Sequence, residues 1–201
     1  MQRITRTSLA LFPIVLLLTA FSGVMARATS GPPGKTPPAA PDPKRAERGS
    51  YLVRSMGCNH CHTPYTMGPS GPAPDMSRAL TGHPAGLTMP PAPKLPDGQW
   101  VWLGAATNTA FAGPWGVSFT ANLTPDPETG LGKWTEEMFI TALRTGRHEG
   151  KGRPILPPMP YSYVSSLTDD DLTAVFAYLQ SLPPVRNRVP SPIDPADEPG
   201  Q

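Results

Sequence analysis

Cys58-Asn59-His60-Cys61-His62 is the stretch of the chain that decides the fold, because it reads C-x-x-C-H. That spacing is typical of covalent haem attachment. Two thiols so placed can add to the two vinyl groups of one porphyrin, and the histidine that follows can supply an axial nitrogen to the iron. Both cysteines of the chain lie in the motif. We therefore expect one haem c, tethered by Cys58 and Cys61 and ligated by His62.

Two other kinds of site begin with a similar spacing. A C-x-x-C pair also serves thioredoxin-like redox chemistry, but that fold needs a βαβ pattern, which is not visible around Cys58. Zinc sites normally bring a second cysteine pair or two further close ligands. The sequence around the motif therefore favours haem over both alternatives.

The overall composition agrees with a cofactor-dependent fold. The 201 residues include 29 prolines and 19 glycines, and only 38% are hydrophobic. So little apolar material would give an ordinary domain a marginal core, whereas a buried porphyrin adds a large apolar body. The formal net charge of +2 is neither strongly basic nor strongly acidic, so no nucleic-acid partner is indicated.

The N-terminal part of the sequence has the features of an export signal. Arg3 and Arg6 precede the apolar run 9–24, and Ala26-Arg27-Ala28 gives a cleavage pattern of small residues. Residues 1–28 are therefore predicted to be a signal peptide, and the rest of the chain to be periplasmic. The alternative is an uncleaved membrane anchor, for which the apolar run is short. Export agrees with haem c, which bacteria attach outside the cytoplasmic membrane.

The remaining chain divides into three predicted parts. Residues 29–43 are proline-rich and predict an extended linker. Residues 44–184 carry the haem motif and the helical patterns, so they form the predicted haem domain. Residues 185–201 bear prolines and acidic residues and are predicted to be a disordered tail.

Three helices are predicted in the haem domain, over residues 44–56, 134–145 and 168–181, from apolar periodicity and capping residues. Gly49 inside the first helix lowers the stability of that helix relative to alanine. A second helix that crosses there at close range would explain the glycine. The long stretch 63–120 shows turns and few periodic patterns. The expected fold class is therefore all-α, with three main helices around one covalently attached haem and long irregular loops.

The second axial ligand is predicted to be a methionine. Met159 lies in Leu156-Pro157-Pro158-Met159-Pro160-Tyr161, an extended segment that its prolines stiffen. This lowers the entropic cost of holding one side chain against a metal. Met89 is the rival thioether, and His83 or His148 would instead give bis-histidine ligation.

Four basic side chains lie between the middle helix and Met159. They could neutralise haem propionates or steer an acidic partner, or they could simply form a solvated face. These residues are Arg144, Arg147, Lys151 and Arg153.

In its order of elements the chain resembles class I cytochrome c: a helix, C-x-x-C-H, a middle helix, a methionine loop and a last helix that crosses the first. Asn122-Leu123-Thr124-Pro125-Asp126, followed by Glu128-Thr129-Gly130-Leu131-Gly132 and Trp134, is similar to the cytochrome c subunits of bacterial membrane-bound alcohol and sugar-acid dehydrogenases. Those subunits carry three haem motifs and this chain carries one. The chain therefore resembles a single module of that architecture.

The resemblance implies a cytochrome c fold, with Asn122 and Trp134 near the haem edge. It also implies a monohaem c-type cytochrome, which is an electron carrier rather than an enzyme. A dehydrogenase would be its donor, and an oxidase or another cytochrome its acceptor in a respiratory chain. Membrane attachment is expected only if the N-terminal segment is retained. The alternatives are a haem enzyme or gas sensor with an open distal site, if Met159 does not ligate, and a thiol oxidoreductase without haem.

Overall fold

A computed structural model of the chain describes residues 42–93, 98 and 100–195. The predicted signal peptide, the predicted linker up to residue 41 and residues 196–201 lie outside this described part. None of the helices described is long and apolar enough to cross a membrane.

The described residues contain five α-helices, five strands and two short 3₁₀ turns. The helices are α1 (Pro43–Ser55), α2 (Cys58–His62), α3 (Glu136–Thr145), α4 (Tyr161–Val164) and α5 (Asp169–Ser181). The strands are β1 (Tyr65–Gly68), β2 (Gly71–Pro74), β3 (Leu103–Gly104), β4 (Ala110–Gly113) and β5 (Gly116–Phe119). The 3₁₀ turns are Met76–Arg78 and His148–Gly150.

The all-α prediction is wrong, because the structure is mixed α/β, with 35% helical and 14% strand residues. Strands β1 and β2 form one antiparallel hairpin, and β3, β4 and β5 form an antiparallel sheet in that order. Both sheets lie in the stretch 63–120 that was expected to be irregular, and glycines lie in the turns of their hairpins. Gly71 and Gly116 have φ angles of 106° and 84°, a region that glycine enters without the steric penalty of a side chain.

The three long helices lie where the sequence predicts them, and their caps explain their limits. The carboxylate of Asp42 accepts a hydrogen bond from Lys44 N (3.1 Å) at the start of α1. The hydroxyl of Thr135 accepts from Met138 N (3.1 Å) at the start of α3. Gly146, with φ of 64°, ends α3 in the left-handed conformation. Such caps satisfy backbone groups that a helix end leaves without partners.

Helices α1 and α5 cross at Gly49, as its position in the sequence suggests. Gly49 is buried, and a Cβ built on it would overlap the backbone carbonyl oxygen of Ala174 and lie 2.8 Å from Tyr178 Cβ. Outside the crossing, the Nε of Arg48 donates to an Asp171 carboxylate oxygen over 2.9 Å. The side chains of α1, α3 and α5 then share one apolar core, which includes Leu52, Val53, Phe139, Leu143, Leu172 and Leu179.

Residues 185–193, in the segment predicted to be a disordered tail, lie against the domain. The side-chain nitrogen of Asn187 donates to the carbonyl oxygens of Thr81 (2.7 Å) and His83 (2.8 Å). Ile193 pairs with Val117 as an antiparallel bridge beyond the edge of β5. The prolines and acidic residues that suggested disorder give no sign of these contacts, because the contacts are polar and involve the backbone.

Candidate haem-binding site

The two cysteines lie on one short helix that a glycine starts. Gly57, with φ of 71°, turns the chain from α1 into α2, and α2 carries Cys58 and Cys61 as free thiols. Side chains three residues apart share one face of a helix. The two sulfurs therefore lie on the same side of α2, where both can meet one edge of a porphyrin. Cys58 also packs against the apolar core.

The thiols are not set up for thioredoxin-like chemistry. Burial, with a smaller contribution from the neighbouring Cys61, raises the pKa of the Cys58 thiol to about 11. Burial likewise raises the pKa of Cys61. Catalytic C-x-x-C cysteines have a lowered pKa, because the thiolate is the nucleophile. The environment of the pair therefore argues against the thiol oxidoreductase alternative.

The imidazole of His62 is buried and held in one orientation. Its Nδ1 donates to the backbone carbonyl oxygen of Ala121 over 2.8 Å. Burial lowers the pKa of His62, so the ring is neutral and Nε2 keeps a lone pair. An imidazole whose other nitrogen is bonded to a carbonyl is a common arrangement for a metal ligand. The sequence gives no sign of this acceptor, since any residue has a carbonyl.

The loop that carries Met159 is anchored to the sheet. The hydroxyl of Ser118 in β5 donates to the carbonyl oxygen of Pro157 over 2.6 Å. Tyr161 N donates to the Met159 carbonyl oxygen over 2.9 Å as α4 begins. The partly buried Met159 packs against the same apolar core as Cys58 and Trp134. The structure thus brings these three predicted site residues to one core, and ligation by Met159 stays a prediction.

The two histidines that were considered as alternative iron ligands have different surroundings. His83 is completely buried, and both ring nitrogens have protein partners: Nδ1 with Thr109 Oγ1 (3.0 Å) and Nε2 with Leu87 O (3.1 Å). Neither nitrogen is free for iron. His148 packs edge-on against Trp134, with ring centroids 5.2 Å apart.

Asn122 holds the segment that carries Ala121. It is buried, and its side-chain oxygen accepts from Thr124 N (3.0 Å) and Thr124 Oγ1 (2.8 Å). Its side-chain nitrogen donates to Val185 O (2.8 Å) and Thr129 Oγ1 (3.3 Å). All these partners belong to the protein, so the contacts shown are structural. Proximity of Asn122 and Trp134 to a haem edge remains a prediction from the resemblance.

The basic side chains near Met159 are partly engaged within the protein. Arg144 donates to Asp169 Oδ1 over 2.6 Å and to Leu167 O over 2.8 Å. The guanidinium groups of Arg147 and Arg153 each donate to a nearby backbone carbonyl. This arrangement fits the alternative of a solvated face better than a set of propionate ligands.

The donor set fits haem c. It comprises two thiols on one helix face, an imidazole with a free Nε2 and a thioether that packs on the same core as Cys58. In the part of the chain that is described, no three histidine, cysteine or acidic side chains come together as a metal cluster.

Comparison with known proteins agrees with this donor set. No model of a known protein family matches the chain. One of the subunits of nicotinate dehydrogenase from Pseudomonas putida is 40% identical over 86 residues, which are 43% of this chain and 7% of that protein. The cytochrome c subunit of a quinone-type alcohol dehydrogenase from Gluconobacter oxydans is 31% identical over 147 residues, which are 72% of this chain and 23% of that protein.

A third relative extends the match to most of the chain. The cytochrome subunit of fructose dehydrogenase from Gluconobacter japonicus is 30% identical over 166 residues, or 83% of this chain and 26% of that protein. The chain thus spans about a quarter of the length of these two cytochrome subunits. The fold and the site are consistent with a c-type cytochrome module. The resemblance predicted from the sequence is confirmed, and the chain is similar to one module of the cytochrome c subunits of alcohol and fructose dehydrogenases.

Proposed function

We propose that the chain is a monohaem c-type cytochrome that carries single electrons in the periplasm. The observation that supports it most strongly is the buried His62, whose Nδ1 is fixed on Ala121 O at 2.8 Å and whose Nε2 is left free. This histidine follows directly on two half-buried thiols of the same helix. The single C-x-x-C-H motif and the two cysteines of the sequence support a count of one haem per chain.

Each site residue has a distinct task in this proposal. Cys58 and Cys61 hold the porphyrin by thioether bonds, and the Ala121 carbonyl keeps the His62 ring in one orientation and raises its basicity. The bond from Ser118 to Pro157 holds the loop of Met159 against the sheet. Bound there, haem c supplies a one-electron iron couple, whose potential a thioether ligand raises relative to a second imidazole.

The proposal makes the protein a carrier rather than an enzyme. If His62 and Met159 both held the iron, no position would be left at it for a substrate. The alternative is a haem enzyme or gas sensor with an open distal site, which applies if Met159 does not ligate. The packing of Met159 against the core that Cys58 also touches favours the carrier.

The partners follow from the relatives rather than from the geometry. The names of the relatives assign them to alcohol and fructose dehydrogenases, so we propose a dehydrogenase as the electron donor. An oxidase or another cytochrome of the respiratory chain is the proposed acceptor. The predicted signal peptide at residues 1–28 supports a periplasmic location, with membrane attachment only if that segment is retained.

The proposal is tested by producing the chain in a bacterial host that matures c-type cytochromes. We expect one haem per chain, measured as pyridine haemochrome against protein mass, and we expect it to resist acid-acetone extraction. The double substitution of Cys58 and Cys61 by alanine should abolish covalent attachment. A colourless protein, or haem that the solvent removes completely, would contradict the proposal and favour a thiol oxidoreductase. Rapid binding of carbon monoxide by the reduced protein would instead favour the open distal site.

A further inference from the structure

Two buried polar groups have no hydrogen-bond partner among the described residues. They are the indole nitrogen of Trp115 and the hydroxyl oxygen of Thr120. Buried polar groups are nearly always hydrogen-bonded, and each exception calls for an explanation. Both residues belong to one stretch of chain: Trp115 lies in the turn between β4 and β5, and Thr120 directly follows β5. The two groups therefore flank the same strand, one at each end.

The stretch from Ser118 to Ala121 joins the two sides of the candidate site. At one end, Ser118 donates to Pro157 O, two residues before Met159. At the other end, Ala121 O accepts from His62 Nδ1. The strand therefore runs from the loop of one proposed axial ligand to the other. An edge of a flat group held between these ligands would face this strand.

Strand alternation indicates that the side chain of Thr120 faces the methionine loop. Thr120 N donates to Thr109 O over 3.0 Å, which continues the ladder of β4 and β5 by one residue. Residues two apart in an extended strand point to the same face. Because Ser118 points towards the methionine loop, Thr120 does so as well.

Trp115 is held in the turn of the hairpin by close packing. A Cβ built on Gly113 would lie 2.6 Å from the indole ring, so the ring packs closely against this glycine at the end of β4. The indole N–H can only donate, and it is buried. Its missing partner must therefore be an acceptor.

We propose that Thr120 Oγ1 and Trp115 Nε1 donate hydrogen bonds to the propionate carboxylates of the haem. This inference rests on the proposed haem site. A haem carries two carboxylates, and an ionised carboxylate is a pure and strong acceptor. Two neutral donors thus bind the propionates, a role for which the basic side chains near Met159 were one candidate. The structure instead shows hydrogen bonds from three of those side chains to protein groups: Arg144, Arg147 and Arg153.

The test is resonance Raman spectroscopy of the haem-loaded protein, in which the propionate bending band reports hydrogen bonds to the carboxylates. Thr120→Val is nearly isosteric and Trp115→Phe keeps an aromatic ring, and each removes one donor, so each should shift the band. Thr120→Ser keeps the hydroxyl and should leave the band in place. The matched control is Thr173→Val, since Thr173 is also buried but its hydroxyl already bonds Glu136 Oε1 at 2.8 Å.

The outcomes separate this inference from the proposed function. Covalent haem in Thr120→Val and Trp115→Phe with an unmoved propionate band overturns the inference and leaves the carrier intact. Absence of covalent haem from the unmodified protein overturns the proposed function itself. If Thr120→Val fails to fold, Thr120→Ala, which also lacks the hydroxyl, serves instead. Its band must shift, and an unmoved band again overturns the inference.

Discussion

Replacement of Gly49 by alanine tests the helix crossing on which the fold depends. The added Cβ would overlap the backbone carbonyl oxygen of Ala174 and come within 2.8 Å of Tyr178 Cβ. Alanine is favoured over glycine in a helix by about 1 kcal/mol. Overpacking a well-packed core costs roughly 1–3 kcal/mol, and the obstacle here is helix backbone, which cannot rotate away. The clash should therefore cost about 3 kcal/mol and leave a net loss of about 2 kcal/mol.

Thermal unfolding of the haem-loaded protein, followed by circular dichroism at a fixed pH, measures this loss. For a protein of this size 1 kcal/mol corresponds to about 2–4 °C, so the melting temperature should fall by about 4–8 °C. Glu47→Ala, at an exposed position of the same helix, is the control and should change stability by less than about 0.5 kcal/mol. A Gly49→Ala protein that melts at a higher temperature than the parent would refute the close crossing, because the higher helix propensity of alanine would then outweigh any clash.

Two further predictions concern the segment that follows β5. Asn122→Leu should lower the free energy of unfolding in urea by about 1–3 kcal/mol, because Thr124 N loses its acceptor and Val185 O loses the shorter of its two hydrogen bonds. An unchanged midpoint would contradict the structural role given to this side chain. The second prediction concerns Asp126, where a hydrogen bond from the Thr129 hydroxyl, with backbone N–H bonds, lowers the carboxyl pKa. The unfolded chain therefore takes up this proton at a higher pH than the folded one, so the contribution is present above about pH 4 and is lost as the pH falls through and below that value. In Asp126→Asn the free energy of unfolding should therefore fall less between about pH 5 and about pH 3 than in the parent protein, as measured by urea unfolding at both pH values. An equal fall in both proteins would contradict the lowered pKa of Asp126.

The helical part of the fold can be predicted from the sequence, because its signals are local. Thr135 and Gly146 mark the two ends of α3 through their own side chain and backbone. Gly49 predicts a crossing, since a glycine in a helix interior needs a reason. The strands lack such signals: each is two to four residues long, too short for a clear alternation of apolar and polar residues. The pair Gly113 and Gly116 was the available hint of a hairpin.

In the candidate site, too, the residues with local signals can be predicted from the sequence and the long-range contacts cannot. The spacing of Cys58, Cys61 and His62 carries its chemistry in the residue types, so the sequence suffices to propose a haem. The acceptor for His62 is a backbone carbonyl, on Ala121, and a carbonyl leaves no mark in a sequence. The bond between Ser118 and Pro157 joins residues 39 positions apart, and no local pattern predicts such a contact.

The central claim is that one haem is ligated by this chain from both sides. The most direct test is the ferric absorption spectrum and midpoint potential of Met159→Ala, with Met89→Ala as the matched control. The claim predicts that Met159→Ala loses the methionine-to-iron charge-transfer band and has a lower potential, because the thioether favours the reduced iron, while Met89→Ala keeps both. An unchanged band and potential in Met159→Ala would contradict it.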